Sequence, residues 1–243
     1  MELIQLSMKA EYNILCLKHG DLYNHEYVNR LYSMVSRNIT LDFKFYCLTE
    51  KPYKLHPDII PIELPSIEVK GWWFKPYMFS NNLGIKGVIL YLDLDVVITG
   101  DLDKLLTYEP GKLCVPQDFT RAQVPSIKRI NSSVCKFNAG KHEFIWKSYL
   151  KDYTRIATAY HGDQDYLWKV TQYTAHLFPK EWIQSYKWEI RKSNKLDYDM
   201  PIGERRLTTI EDPVIMKECS VAVFHGDPKP HYCEDPIIQQ LWR

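Results

Sequence analysis

The five residues Val88 to Leu92 (VILYL) form an unbroken apolar run that stops at Asp93, and a second acid, Asp95, follows two positions later. A short run of this kind suits a strand buried on both faces. In extended backbone residues i and i+2 project the same way. The end of such a strand therefore brings two carboxylates together. Carboxylates placed like this need water, a counter-cation or a metal ion. The chain must fold so that a buried strand ends in charge.

The segments before this run alternate between strand and helix patterns. YNILCL reads as a buried strand, and the stretch after HGDLYNHE carries Tyr27, Leu31, Met34 and Val35 at helical spacing. FKFYCL reads as the next strand, and IIPIEL as an edge strand because Pro61 cannot donate to a ladder. GWWFKPYMFSNNLG reads as a helix that starts late, since Pro76 is tolerated only in a first turn. Short strands alternating with helices predict an α/β protein with a parallel, doubly wound sheet. Ligands of such sheets sit beyond the carboxyl ends of the strands, where Asp93, Asp95 and the Lys18-His19-Gly20 segment fall. The second half is less regular. NSSVCKF reads as a strand, HEFIWKSYL as a helix, and GDQDYLWKV as a loop entering a helix with acids in its first turn. VAVFHG reads as a last strand, and DPKPHYCEDP as a surface loop.

Composition excludes some functions. Lys plus Arg number 31 against 30 Asp plus Glu, which argues against general nucleic-acid binding. The six cysteines (Cys16, Cys47, Cys114, Cys135, Cys219 and Cys233) form no C-x-x-C pair, and several sit in apolar runs. They read as reduced, structural thiols, consistent with a cytoplasmic chain. MELIQLSMKAEYN lacks the pattern of a secretory leader, and no apolar run approaches the roughly 20 residues of a membrane span.

Asp-x-Asp alone is a weak motif, since about one such pair is expected by chance among sixteen Asp residues. Four occur (93/95, 101/103, 163/165 and 197/199), and only the first follows an unbroken apolar strand. Its two readings are a Mg²⁺ or Mn²⁺ site completed by waters and phosphates, and a pair of solvated turn acids. His225 closes another apolar run in AVFHGDPKP, with Lys229 four residues on. An imidazole beside two carboxylates favours Mn²⁺ over Mg²⁺, and Lys229 suits a phosphate as a point charge.

Taken in order, WWFKPYMF, YLDLDVV, NSSVCKF, GDQDYLW and FHGDPKP resemble the GT-A-type glycosyltransferases of family 8, the glycogenin and galactosyltransferase-like group, and a bacterial and phage branch of sugar transferases with the same blocks. The resemblance runs from about Tyr12 to Trp242. It implies one GT-A domain with a Rossmann-like, mostly parallel sheet, a nucleotide-binding half over about residues 1–100 and an acceptor half over about 101–243. It implies a nucleotide-sugar donor, most often UDP-linked, a divalent metal, and sugar transfer to a glycan, lipid-linked or protein acceptor with retention of configuration. By position, Asp93, Asp95 and His225 would hold the metal, with Asp93 also near the ribose. Lys75, Lys229 and Gly226 would contact the diphosphate end. Asn131 and Ser132 would face the donor sugar, in preference to the later Asn138-Ala139-Gly140. Asp163 and Gln164 would lie at the reacting carbon, and Lys18 at the loop that meets the base. Tyr23 would stack on the base or serve as a packing residue. Trp168, Trp182, Tyr186 and Trp188 are acceptor platforms or, for most of them, packing residues, and Trp242 with the Lys and Arg of the tail is only a faint sign of an acceptor or membrane contact. Two other readings remain: a haloacid dehalogenase-type phosphatase, and a non-catalytic nucleotide-sugar or glycan-binding module.

Overall fold

The computed structural model describes residues 11–172, 174–193, 195–208, 215 and 217–243. The leader reading concerns residues 1–13, most of which lie outside that set. In the first half, β1 (Tyr12–Lys18), α1 (His25–Arg37), β2 (Phe43–Thr49) and β3 (Ile59–Ile62) precede a 3₁₀ helix (Gly71–Phe79), and then come β4 (Val88–Leu92), β5 (Val96–Ile98) and α2 (Asp103–Thr107). The second half holds β6 (Cys114–Val115), β7 (Val134–Asn138), α3 (Glu143–Leu150), α4 (Tyr153–Ala159), α5 (Asp163–Val170), β8 (His176–Leu177), β9 (Ile183–Ser185), β10 (Val221–Val223) and α6 (Pro236–Leu241).

Seven strands form one sheet in the order β3-β2-β1-β4-β7-β6-β8. β1 pairs in parallel with β2 and β4, and β2 with β3, as the alternating pattern predicts. β7 alone runs against both its neighbours. Its amino end therefore lies beside the carboxyl end of β4, and the Asp93 amide donates to the Ser133 carbonyl at 2.9 Å. β5, β10 and β9 make a second, three-stranded sheet.

The unbroken apolar runs are explained by burial on both faces. Ile14, Cys16, Leu90 and Leu92 pack with Val28, Leu31 and Met34 of α1 on one side. Leu15, Ile89 and Tyr91 pack with Trp73, Tyr77, Ile145 and Trp146 on the other. The helical face expected at Tyr27, Leu31, Met34 and Val35 is buried, and Asn24 caps that helix by accepting from the Glu26 amide. Pro61 sits in an edge strand, as read. The helix expected to start late starts at Gly71 instead and is 3₁₀ throughout, with Pro76 inside it and Trp73 to Phe79 all buried. Proline removes a donor and crowds an α-helix interior, and the tighter winding accommodates it. Gly87 fixes the approach of β4 to β1: its φ is +87°, and a Cβ there would stand 2.1 Å from the Glu11 carbonyl oxygen, which accepts from the Val88 amide.

Candidate active site at the carboxyl ends of the strands

A cavity of about 550 Å³ opens beyond the carboxyl ends of β1 and β4. Lys75, Asp93, Asp95, Asn131, Ser132, Asp163, Gln164, His225, Gly226 and Lys229 all line it, along with Tyr23 and Trp72. Five blocks of sequence thus meet in one place. Lys18 is the expected site residue that does not line it; its side chain is buried and its ammonium donates to the Gly20 carbonyl at 3.3 Å, inside its own loop. Asn138 pairs with Val88 at the far end of β4, so Asn131 and Ser132 are the pair at the cavity.

Two lysines answer the crowding of carboxylates. Lys75 Nζ lies 2.9 Å from both Asp93 oxygens, 3.6 Å from Asp163 Oδ2 and 3.4 Å from Ser132 Oγ. Burial opposes its charge, but Asp163 and Asp93 outweigh burial and hold its pKa above the ordinary lysine value. Burial also pushes the Asp163 carboxyl upward, with Lys75 and a hydrogen bond from Ser132 working against the rise. Lys229 Nζ lies 2.6 Å from Asp95 Oδ2, which also accepts from Tyr23 Oη at 2.9 Å. Tyr91 Oη donates to Asp93 Oδ1 at 2.8 Å. Burial and then the adjacent acid raise both phenols, Tyr23 by Asp95 and Tyr91 by Asp93, so each remains a donor.

Asn131, Gln164 and Asp118 form a chain of their own. Asn131 Nδ2 donates to Gln164 Oε1 at 3.2 Å, and Gln164 Nε2 donates to Asp118 Oδ2 at 3.3 Å. Asp163 is the first residue of α5, after an N-cap at Gly162. Tyr91 and Asp118 were not foreseen. Tyr91 was within reach of the sequence, because it stands two residues before Asp93 on one strand. Asp118 comes from a short 3₁₀ segment with no pattern to mark it.

Asp93, Asp95 and His225 share the cavity, and each is already engaged by a neighbouring side chain. Among the described residues, no three His, Cys, Asp or Glu side chains are grouped to hold a metal ion. The reason is local: each acid faces an ammonium, and His225 Nε2 lies 2.7 Å from Ser185 Oγ. The imidazole is stacked on Phe119 at 5.3 Å with Trp188 edge-on at 4.5 Å. Burial, reinforced by Lys187, lowers its pKa to about 3, so it stays neutral and keeps a lone pair. Two carboxylates and a neutral imidazole are the right donor chemistry for Mn²⁺. The residues fit the ion by type, with Lys229 in the place that a cation would take on Asp95.

Of the aromatic platforms proposed from sequence, Trp168, Trp182 and Tyr186 pack in or against the core, while Trp188 lines a cleft between residues 117–125 and 180–193. Tyr186 is stacked on Phe224 at 4.2 Å, Trp182 meets Tyr108 edge-on, and Trp168 packs against the core. Trp188 leans on His225. Trp242 is buried against Tyr27 beneath the Arg30 guanidinium, which accounts for it without a membrane. The Trp188 cleft is the larger, at about 950 Å³, and in it Arg121 and Glu189 satisfy each other at 2.9 Å.

No protein-family model matches the chain, and no curated protein does. Solved structures do match. The galactosyltransferase LgtC, solved with donor and acceptor sugar analogues, superposes with a TM-score of 0.65 at 15% identity over 95% of both chains. The chain has the GT-A glycosyltransferase fold. The glycosyltransferase GlyE of Streptococcus pneumoniae TIGR4 matches at TM-score 0.56 and 16% identity over 71% of this chain, and the bifunctional WbbM at 0.59 and 11% over 92%. The chain spans about half the length of these two, 46% and 47%. Identities this low establish architecture, and function must come from the site.

Proposed function

We propose that this GT-A chain transfers a sugar from a nucleotide-linked donor, UDP-linked in keeping with the family-8 resemblance, to an acceptor hydroxyl with retention of configuration. The observation that carries the reading is the convergence of Lys75, Asp93, Asp95, Asn131, Asp163, Gln164, His225 and Lys229 in one cavity. Breaking the anomeric bond builds negative charge on the leaving diphosphate, and a fixed cation stabilises it. Lys229 supplies that cation: its ammonium already stands beside Asp95 and transfers its partnership to a phosphate oxygen. Gly226, with φ of +64°, turns the chain between His225 and Lys229. Asp163 and Gln164 face the sugar, where a carboxylate and an amide steady developing positive charge. Asp93, Asp95 and His225 would hold a Mn²⁺ ion, which when bound acts as a Lewis acid on the diphosphate. About residues 1–100 make the nucleotide-binding half, and about 101–243 the acceptor half plus the C-terminal metal and diphosphate loop. All six cysteines are free and buried, and no described helix is long and apolar enough to cross a membrane, in keeping with a cytoplasmic enzyme.

The test is nucleotide release from a panel of nucleotide-sugars with and without Mn²⁺. Wild-type chain is expected to release nucleotide from one donor in a metal-dependent way, and Asp95→Asn to lose at least a hundredfold, as when a key electrostatic group is removed. Nucleotide binding with no release from any donor would support the non-catalytic module instead.

A further inference from the structure

Seven tryptophans occur in the chain, and Trp72 alone among them is exposed, at 54%. The next residue, Trp73, is buried and lies parallel to Tyr149 at 6.2 Å. The outward placement of Trp72 is fixed by the backbone. Gly71 takes a left-handed φ of +56°, and its amide donates to His19 Nδ1 at 3.2 Å. Trp72 also lines the 550 Å³ cavity, at the rim, where Leu22 is 75% exposed as well. Its Nε1 lies 3.9 Å from where a Cβ on Gly162 would stand, so the indole reaches the residue just before Asp163 and Gln164.

We propose that Trp72 is the platform on which the acceptor's sugar ring stacks. This rests on the glycosyltransferase reading and adds the acceptor's chemistry and place to it. The deep part of the cavity carries the charged pairs suited to a diphosphate. The acceptor has to enter from the open side and present a hydroxyl next to the sugar-facing Asp163 and Gln164. Trp72 is the large aromatic group on that route. A pyranose has an apolar C–H face and hydroxyls around its edge. An exposed indole in a cavity also lined by the amides of Asn131 and Gln164 matches both features. Nucleotide-base stacking is the competing use of the ring, since Gly71 is bonded to His19 of the base-side loop; the approach of Nε1 to Gly162, next to Asp163, favours the acceptor.

The experiment first identifies a donor by nucleotide release without acceptor; no release from any donor defeats the underlying reading rather than this one. Methyl glycosides of glucose, galactose and N-acetylglucosamine are then added at high concentration as probes. Wild type, Trp72→Ala and Trp72→Phe are compared for acceptor KM and donor KM, with circular dichroism as a check on folding. Expected are glycoside-stimulated release, a roughly tenfold higher acceptor KM in W72A, recovery to within threefold in W72F, and donor KM moving less than twofold in each. Three results would overturn the proposal. One is an acceptor KM in W72A within twofold of wild type. Another is a tenfold rise in donor KM, which would place the indole on the nucleotide. The third is donor hydrolysis that no glycoside stimulates. If W72A fails to fold, a W72F acceptor KM more than threefold from wild type also counts against it.

Discussion

Lys75→Met tests the electrostatics of the site most directly. Lys75 is almost completely buried, at 7% exposure, and its ammonium stands 2.9 Å from Asp93 and 3.6 Å from Asp163. Methionine keeps the length and apolar character of the stem and removes the charge. The buried Asp163 and the half-buried Asp93 would then lose the cation that lies against both. Breaking a buried pair by removing one partner costs about 3–5 kcal/mol, out of a total stability of about 5–15 kcal/mol for a domain. At this chain length that corresponds to a fall in Tm of roughly 10 °C. The loss also has a sign with pH. Burial and the neighbouring Asp93 already raise the Asp163 carboxyl, and Lys75 works against that rise, so removing Lys75 lifts it further above its unfolded value. The folded state then binds protons more readily than the unfolded chain, so the variant gains stability as pH falls. The assay is urea unfolding of both proteins at pH 7 and pH 4.5, with a difference at pH 7 that narrows at pH 4.5. A difference below about 1 kcal/mol at pH 7, the range of exposed pairs, would refute the reasoning, as would a gap that ignores pH.

Two further predictions concern the frame around the site. Gly87→Ala puts a Cβ 2.1 Å from a backbone oxygen at a φ of +87°, and combines overpacking with backbone strain; a loss of about 2–4 kcal/mol in the urea midpoint analysis is expected. Burial lowers Lys187 from 10.5 to about 8, with Lys229 adding to the effect and Asp227 opposing it. The unfolded chain then binds more protons than the folded one between those two values, so stability rises with pH across that window and is lost as pH falls through 8. The rise attributable to this lysine is about 3 kcal/mol at most. Lys187→Met should flatten it, and identical slopes in both proteins between pH 8 and 10 would count against the assignment.

The first half was legible because β1 and β4 are buried on both faces, and strands of that kind write themselves as largely apolar runs. YNILCL, FKFYCL and VILYL all became sheet strands, and the acids after VILYL came out at an opening. The reversal of β7 was not legible, since NSSVCKF reads the same in either direction of pairing. The 3₁₀ winding around Pro76 was hidden for a different reason: seven consecutive buried residues leave no period to read. Within the site, residue types were readable but partnerships were not. Nothing in the letters says that Lys229 rests on Asp95 or that His225 turns to Ser185. Tryptophans were likewise visible as a set, and only the fold separates the one at the rim from those in the core.

The ammonium groups lying against the acids have a consequence for how any anionic ligand arrives. Asp93, Asp95 and Asp163 are met by Lys75 and Lys229, and Asp21 on the cavity wall by Lys51, so the chamber is close to self-neutralised. Filling it is then an exchange of partners rather than the capture of an ion by a bare field. Such a site draws little long-range attraction from its surroundings, and its occupancy should vary only shallowly with the ionic strength of the medium.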